Sequence, residues 1–148
     1  MNILDKIIAD KYKEVALRKQ LIPAKQLEQS VLFNRKSPSL AQALSTSASG
    51  IIAEHKRRSP SKATINNNLN VQDVARGYEQ AGVCGMSVLT DGKYFGGSLD
   101  DLLLARAAAQ LPLLRKEFVI DTYQILEAKA YGADVILLIA AVLTSEEI

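Results

Sequence analysis

The sequence has few of the residues on which several classes of protein depend. Among its 148 residues there is one cysteine, Cys84, and one histidine, His55. A single thiol cannot form an internal disulfide, so nothing in the sequence requires an oxidising compartment. A single histidine also argues against a histidine-based metal site. We therefore expect Cys84 to be a small core residue, and we expect no bound metal.

Long apolar stretches are missing as well. The longest uninterrupted apolar run is 135–143, nine residues, whereas a membrane-spanning helix needs about 20. Residues 1–20 mix charged and apolar side chains and lack the apolar segment of a secretory signal. We expect a soluble, cytoplasmic protein without a membrane partner.

The charge balance gives little support for a nucleic-acid partner. The formal net charge is +2, and 48% of the residues are hydrophobic, enough to build a core. The one basic run, Lys56-Arg57-Arg58, follows an apolar segment directly and precedes a Ser-Pro turn. We expect it to lie in a loop of the fold and not to bind nucleic acid.

The pattern of residues 1–49 is helical. Between residues 2 and 19, apolar side chains recur at spacings of three and four, with charges on the other side, which predicts an amphipathic helix. The apolar face consists of Ile3, Ile7, Ile8, Tyr12 and Val15. Pro23 is expected to open a second short helix over 23–31. A third short helical stretch is expected near residue 40.

From residue 50 onward, apolar segments alternate with helical ones. The predicted strands are 51–53, 85–89, 111–118 and 135–142. Each is followed by a helical pattern with capping residues at its start. This alternation predicts a parallel sheet built from repeated βα units. The last strand is apolar on both faces, as in a buried parallel strand.

Charged residues follow two of these strands where each strand ends. Alternation puts Glu54 and Lys56 on one face of the first strand and His55 on the other, against the helices. Lys116 holds the corresponding place on the third strand. In parallel βα folds the ligand site lies beyond the carboxyl ends of the strands. There, a lysine can donate protons and a nearby carboxylate can accept them.

Each of these features also has a purely structural interpretation. Glu54 and Lys56 could form an ion pair without a catalytic role. Phe95, followed by Gly96-Gly97, could lie in a simple turn or form an aromatic lid on the active face. The residues alone leave both alternatives open.

Four ordered segments resemble one known family, the indole-3-glycerol-phosphate synthases. They are IIAEHKRRSPSK at 51–62, SVLTDGKYFGGS at 87–98, PLLRKEFVID at 112–121 and GADVILLI at 132–139. The resemblance is strong over 50–148, and the helical start suits the N-terminal extension of the family. It implies an α/β fold, a partial TIM (β/α)8 barrel with about strands 1–4, preceded by the helical extension over 1–49.

The resemblance also implies an activity. The family comprises carboxy-lyases of tryptophan biosynthesis that convert 1-(2-carboxyphenylamino)-1-deoxyribulose 5-phosphate into indole-3-glycerol phosphate with loss of carbon dioxide and water. The implied partner is this phosphorylated small molecule, and no cofactor is implied.

Roles for individual residues follow from the same resemblance. Lys116 corresponds to the general acid of ring closure. Lys56 corresponds to the lysine that holds the substrate carboxylate and takes part in proton transfer. Glu54 corresponds to a carboxylate that orients both lysines and the substrate. Phe95 matches an aromatic contact to the anthranilate ring, and Ser59 is a weaker candidate near the polar groups of the substrate.

The segments that resemble the family stop after the fourth strand, whereas a whole barrel takes about 250 residues. We expect a fragment that lacks most of the phosphate site, and negligible turnover by the fragment alone. The alternative is a non-catalytic half-barrel that forms a homo-oligomer through open strand edges. Phosphoribosylanthranilate isomerase fits the strand pattern but not the set Glu54, Lys56 and Lys116. Fusion to another enzyme of the pathway stays open.

Overall fold

A computed structural model describes all 148 residues, which form a four-stranded parallel sheet and six helices. The strands lie side by side in chain order. They are β1 (Ile52–His55), β2 (Gly85–Leu89), β3 (Leu113–Lys116) and β4 (Val135–Ile136). The helices are α1 (Ile3–Leu21), α2 (Ala24–Leu27), α3 (Leu40–Thr46), α4 (Val71–Gln80), α5 (Leu99–Ala108) and α6 (Tyr123–Ala130).

The main core lies between the sheet and the helices that connect its strands. All five residues of β2 are buried, because β2 is paired on both sides and covered by helices. Met86 and Val88 of β2 pack with Leu113 of β3 and Leu102 of α5, and all four are fully buried. Burial of such side chains contributes about 1.5–3 kcal/mol each, so this cluster holds the strands in place.

Two of the connecting helices, α4 and α5, begin at capping residues that the sequence indicates. Asn70 accepts a hydrogen bond from the amide of Asp73 at the start of α4, and Ser98 accepts one from Asp101 at the start of α5. These bonds satisfy amides that have no partner within the helix. No helix in the chain combines the length and hydrophobicity that a membrane crossing requires.

Helix α1 forms as predicted, but its buried face differs from the predicted one. Ile3 and Tyr12 were expected on the apolar face, yet they are 51% and 56% exposed. The buried positions are Ile7, Lys11 and Val15, one helical turn apart. Lys11 is buried because the acidic side chains of Asp91 and Glu117 lie beside its ammonium group.

The first 49 residues contact both edges of the sheet. Lys11 of α1 lies at the carboxyl edge, beside Asp91. At the amino edge, Arg35 donates a hydrogen bond to the buried Asp134, just before β4. Leu40 of α3 packs against Gly85 at the start of β2 so closely that a Cβ there would lie 2.6 Å from it. This segment therefore wraps around the outside of the sheet.

Three predicted elements are shorter than expected, and the strand expected over 111–118 covers only Leu113–Lys116. The helix expected over 23–31 covers only Ala24–Leu27. The strand expected over 135–142 has two residues in the ladder, Val135 and Ile136, which pair with β3. β4 has a neighbour on one side only, its pairing with β3 ends at Ile136, and Leu138 is 37% exposed.

Candidate active site

The parallel register brings the ends of β1 and β3 to the same edge of the sheet. His55 pairs with Val88, and Leu89 pairs with Lys116, so β2 separates the two ends by a single strand. Side chains that project from this face of β1 and β3 therefore reach one another across β2.

Glu54, Lys56 and Lys116 meet at this edge, as strand alternation predicts. The Nζ of Lys116 lies 3.1 Å from Oε2 of Glu54, and the Nζ of Lys56 lies 3.3 Å from Oε1. One carboxylate thus holds two ammonium groups, one on each oxygen. The side chains are 28–40% exposed, so all three can reach a ligand.

Glu54 is ionised in this arrangement. Burial alone would raise its pKa, but hydrogen bonding and charge from Lys116 outweigh burial. Ser87 donates a 3.0 Å hydrogen bond to Oε2, and Lys56 adds a further favourable contact. The pKa of Glu54 is therefore held below its usual value, and the carboxylate keeps its charge near neutral pH.

A cavity of about 170 Å³, open to solvent, lies beside these charges. Its lining residues are Lys56, Leu89, Asp91, Phe95, Lys116, Glu117, Phe118, Leu137 and Ile139. The rings of Phe95 and Phe118 have centroids 5.9 Å apart and planes tilted by 38°. The cavity thus offers apolar and aromatic surface next to two cations, which suits a ligand with a flat ring and an anionic group.

Sequence reasoning identified Phe95 but missed Phe118, Leu137 and Ile139. A usable signal was present, since Phe118 follows Lys116 by two positions and so continues the same face beyond β3. Leu137 and Ile139 follow β4 with the same spacing. The apolar run 135–142 has the composition of a buried strand, which does not mark these residues as part of a site.

Ser59 lies apart from this group. It does not line the cavity, and its hydroxyl shares a 3.2 Å hydrogen bond with that of Ser61 in the turn after β1. Its backbone pairs with Lys62 across the same turn. In this arrangement the hydroxyl of Ser59 is bound to Ser61 and does not face the cavity.

The basic run after β1 lies in a loop, as predicted, and binds backbone carbonyls of the loop after β2. Arg57 donates to the carbonyl of Gly96 and forms a bidentate pair with Asp101. Arg58 donates to the carbonyls of Gly92 and Lys93. Both guanidinium groups therefore support the loop that carries Phe95.

A glycine fixes where this loop leaves the sheet. A Cβ at Gly97 would lie 2.0 Å from the carbonyl oxygen of Leu89, a distance that no other residue tolerates. The close approach folds the loop back over the end of β2, and Phe95 faces the cavity. The segment forms a turn that faces the cavity, and the role of Phe95 as an aromatic lid stays a prediction.

The remaining candidate side chains lie elsewhere. His55 is 5% exposed and points away from Glu54, as predicted, and Cys84 is also buried. Burial and the charge of Arg57 lower the pKa of His55, with Asp101 opposing them. No three His, Cys, Asp or Glu side chains are arranged to hold a metal ion.

Comparison with known proteins connects this geometry to one family. Residues 4–148 match the sequence model of the family described as indole-3-glycerol phosphate synthase. The chain belongs to this family. The resemblance seen in the four strand segments is thereby confirmed. Proteins of the indole-3-glycerol phosphate synthase family are TIM barrels, and the chain covers only part of such a barrel.

Individual relatives agree with this assignment. The chain is 47% identical over 146 residues to an indole-3-glycerol phosphate synthase of Bacteroides thetaiotaomicron, covering 99% of the chain and 56% of the relative. Synthases of Dechloromonas aromatica and Bordetella pertussis are 45% and 42% identical, with 57% and 58% of their lengths covered. The chain spans a little over half the length of these relatives.

Proposed function

We propose that this chain supplies the first half of an indole-3-glycerol phosphate synthase active site. The observation that carries the proposal is the group of Glu54, Lys56 and Lys116 beside a cavity with two aromatic rings. We also propose that residues 1–49 are an N-terminal extension and that 50–148 are the first half of the barrel.

The proposed reaction closes a ring on 1-(2-carboxyphenylamino)-1-deoxyribulose 5-phosphate. The ring carbon that bears the carboxylate bonds to the carbonyl carbon, and the carbonyl electron pair moves to its oxygen, which takes a proton. The carboxylate leaves as carbon dioxide, which returns the ring to aromaticity. The new hydroxyl and one hydrogen of the neighbouring CH2 group then leave together as one water molecule, which gives the indole.

The charged residues have distinct roles in this scheme. Lys116 donates the proton to the carbonyl oxygen, a task that suits an ammonium group at the rim of an apolar cavity. Lys56 binds the carboxylate of the substrate and keeps the leaving group in place. Glu54 is a positioning residue, because it holds both lysines 3.1–3.3 Å from its own oxygens.

The aromatic half of the site binds the ring. Phe95 and Phe118 lie on one wall of the cavity, and Leu137 and Ile139 extend it toward β4. Stacking and burial of the anthranilate ring there would set the distance between its carboxylate and Lys56. Ser59 is assigned only to the polar groups of the substrate, by resemblance to the family.

The test is an enzyme assembled from two segments. The 148 residues are joined in frame to the part of the Bacteroides thetaiotaomicron relative that follows the matched region, and indole-3-glycerol phosphate is measured. We expect turnover by the joined protein and negligible turnover by the chain alone. A well-folded joined protein without product would contradict the proposal.

The control is a joined protein with Lys116→Met. This variant keeps the length of the side chain and removes the proton donor, so it should fold and lose turnover. Persistent turnover would show that another group protonates the carbonyl.

A second candidate role is a homo-oligomer of half-barrels. It is favoured by exposed apolar residues at the two outer edges of the sheet, where Ile51 precedes β1, Ile52 begins it and Leu138 follows β4. Unpaired strand edges bind other chains readily. Light scattering over a dilution series tests it, with the joined protein as a control in which the edges are covered. A monomer at every concentration would exclude this role.

A further inference from the structure

Lys11 of helix α1 lies in the wall behind the cavity. Its Nζ is 2.8 Å from Oδ1 of Asp91 and 3.1 Å from Oε1 of Glu117, and the three side chains are only 1–3% exposed. Asp91 follows β2 and Glu117 follows β3. A lysine outside the sheet is therefore the shared counter-ion of two neighbouring strand ends. Glu14, one turn further along α1, also accepts from its Nζ.

The two carboxylates that Lys11 holds each fix one aromatic segment. Asp91 accepts a 2.7 Å hydrogen bond from the amide of Tyr94, directly before Phe95. Glu117 accepts a 2.9 Å hydrogen bond from the amide of Phe118. The carboxylates beside Lys11 thus hold the backbone at both aromatic rings, through the amide just before Phe95 and through the amide of Phe118 itself.

The ammonium group is needed for this arrangement. Burial acts to lower the pKa of Lys11, but the charges of Glu117 and Asp91 outweigh burial and raise it. Without Lys11, two buried carboxylates would face each other with no cation between them from α1. They would separate or take up a proton, and either change alters how they hold the amides of Tyr94 and Phe118.

The neighbouring residue strengthens the link between α1 and the loop. Asp10 accepts hydrogen bonds of 2.5 Å from Lys93 Nζ and from the hydroxyl of Tyr94. Asp10 therefore binds the loop after β2 at the surface, and Lys11 binds the same loop in the interior.

We propose that Lys11 is a positioning residue of the active site, which holds Phe95 and Phe118 in place for the aromatic ring of the substrate. This inference rests on the proposed function for the identity of the ligand. The positioning itself is a property of the chain alone. Helix α1 thereby forms part of the active-site wall and does more than cover the outside of the sheet.

The first experiment measures amide hydrogen exchange by NMR in the 148-residue chain with Lys11→Met. We expect loss of protection at the amides of Tyr94 and Phe118, with protection kept at Met86 and Val88 in the centre of the sheet. The matched control is Lys19→Met on the same helix, whose ion pair with Asp121 is half-exposed. It should leave all four amides unchanged.

The second experiment measures kinetics of the joined protein. In Lys11→Met we expect kcat/KM to fall by about 100-fold, the effect that a displacement of about 1 Å can have. Most of the loss should lie in KM, because the aromatic pair binds the ring and transfers no proton. The double variant Lys11→Met, Asp91→Asn removes the repulsion and keeps an acceptor for Tyr94. It should restore protection there and lower KM again.

The outcomes separate positioning from mere stability. Unchanged protection and KM in Lys11→Met would overturn the proposal. So would a uniform loss of protection or an unfolded chain that the double variant does not restore. If the joined protein without substitutions is inactive, the proposed function fails, while hydrogen exchange still decides whether Lys11 holds the two segments.

Discussion

Two groups of charges lie at the same edge of the sheet and differ in their exposure to solvent. In the open group, the side chains of Glu54, Lys56 and Lys116 are 28%, 33% and 40% exposed. In the buried group, Lys11 and Glu117 are at most 2% exposed. The same residue types thus have different roles in the two groups. Charged side chains that can reach a ligand stay partly hydrated, whereas charged side chains that hold the backbone are buried.

The buried group continues into the sheet as an alternating network. Arg115 lies 2.9 Å from Glu127 and 3.6 Å from Glu117, and it donates to the hydroxyl of Thr90. Arg18 of α1 closes the network from the outside by pairing with Glu127. Each charge has an opposite neighbour, which is what a low-dielectric interior requires. The open group can lose one member without leaving a charge stranded away from water.

The largest effect is expected from breaking the buried network at Arg115. Arg115→Met leaves Glu117 and Glu127 with one counter-ion fewer in the interior. Loss of one partner from a buried pair costs about 3–5 kcal/mol, so we expect the free energy of unfolding in urea to fall by that amount. Arg76→Met is the control, because its pair with Asp73 is exposed, and it should cost less than about 1 kcal/mol. Equal losses would remove the distinction between the groups.

The open group should show the reverse, with large effects on turnover and small ones on stability. In the joined protein, Lys116→Met should lower kcat by about 100-fold or more, as expected for loss of a general acid. Lys56→Met should act mainly on KM, because the proposed role of Lys56 is to bind the substrate carboxylate. Steady-state kinetics and urea unfolding of both variants check this. A drop in stability as large as that of Arg115→Met would show that the open group also holds the fold.

A smaller effect on stability is expected when the pH is lowered through the titration range of His55, which lies on the opposite face of β1 from Glu54. Its pKa is lowered, so the folded state keeps the imidazole neutral where the unfolded chain binds a proton. This stabilisation by the neutral imidazole is complete at pH values above 6.5, the ordinary pKa of histidine. It is lost as the pH falls from there toward the folded-state pKa. Urea unfolding at pH 7, 6 and 5 should show this decline, and His55→Gln should lack it.

Strand alternation was enough to predict the open group. Glu54 and Lys56 are two positions apart on β1, and Lys116 ends β3, so a parallel sheet necessarily places them together. The buried group could not be predicted in this way. Lys11 lies 80 positions from Asp91 and sits among other charges of α1, and helical periodicity placed it on the polar face. Long-range pairing of charges leaves no local pattern in the sequence.

At β4, too, the local sequence pattern does not determine the structure, here for apolar residues. Composition predicted a strand over 135–142, but only Val135 and Ile136 have partners on β3. Strand length depends on the neighbour as well as on the residues themselves. Leu137 and Ile139 therefore line the cavity, a placement that hydrophobicity alone does not distinguish from burial in a sheet.

The smallest effect is expected from Glu54 on stability. Because the pKa of Glu54 is lowered, its ionised form stabilises the fold above the ordinary value of 4.5, and this contribution is lost as the pH falls through the folded-state pKa. Glu54→Gln should cost less than about 1 kcal/mol at pH 7, because the pairs are partly hydrated. The difference from the unsubstituted chain should shrink below pH 4.5 in urea unfolding. A difference that persists at low pH would mean that Glu54 acts through packing and not through its charge.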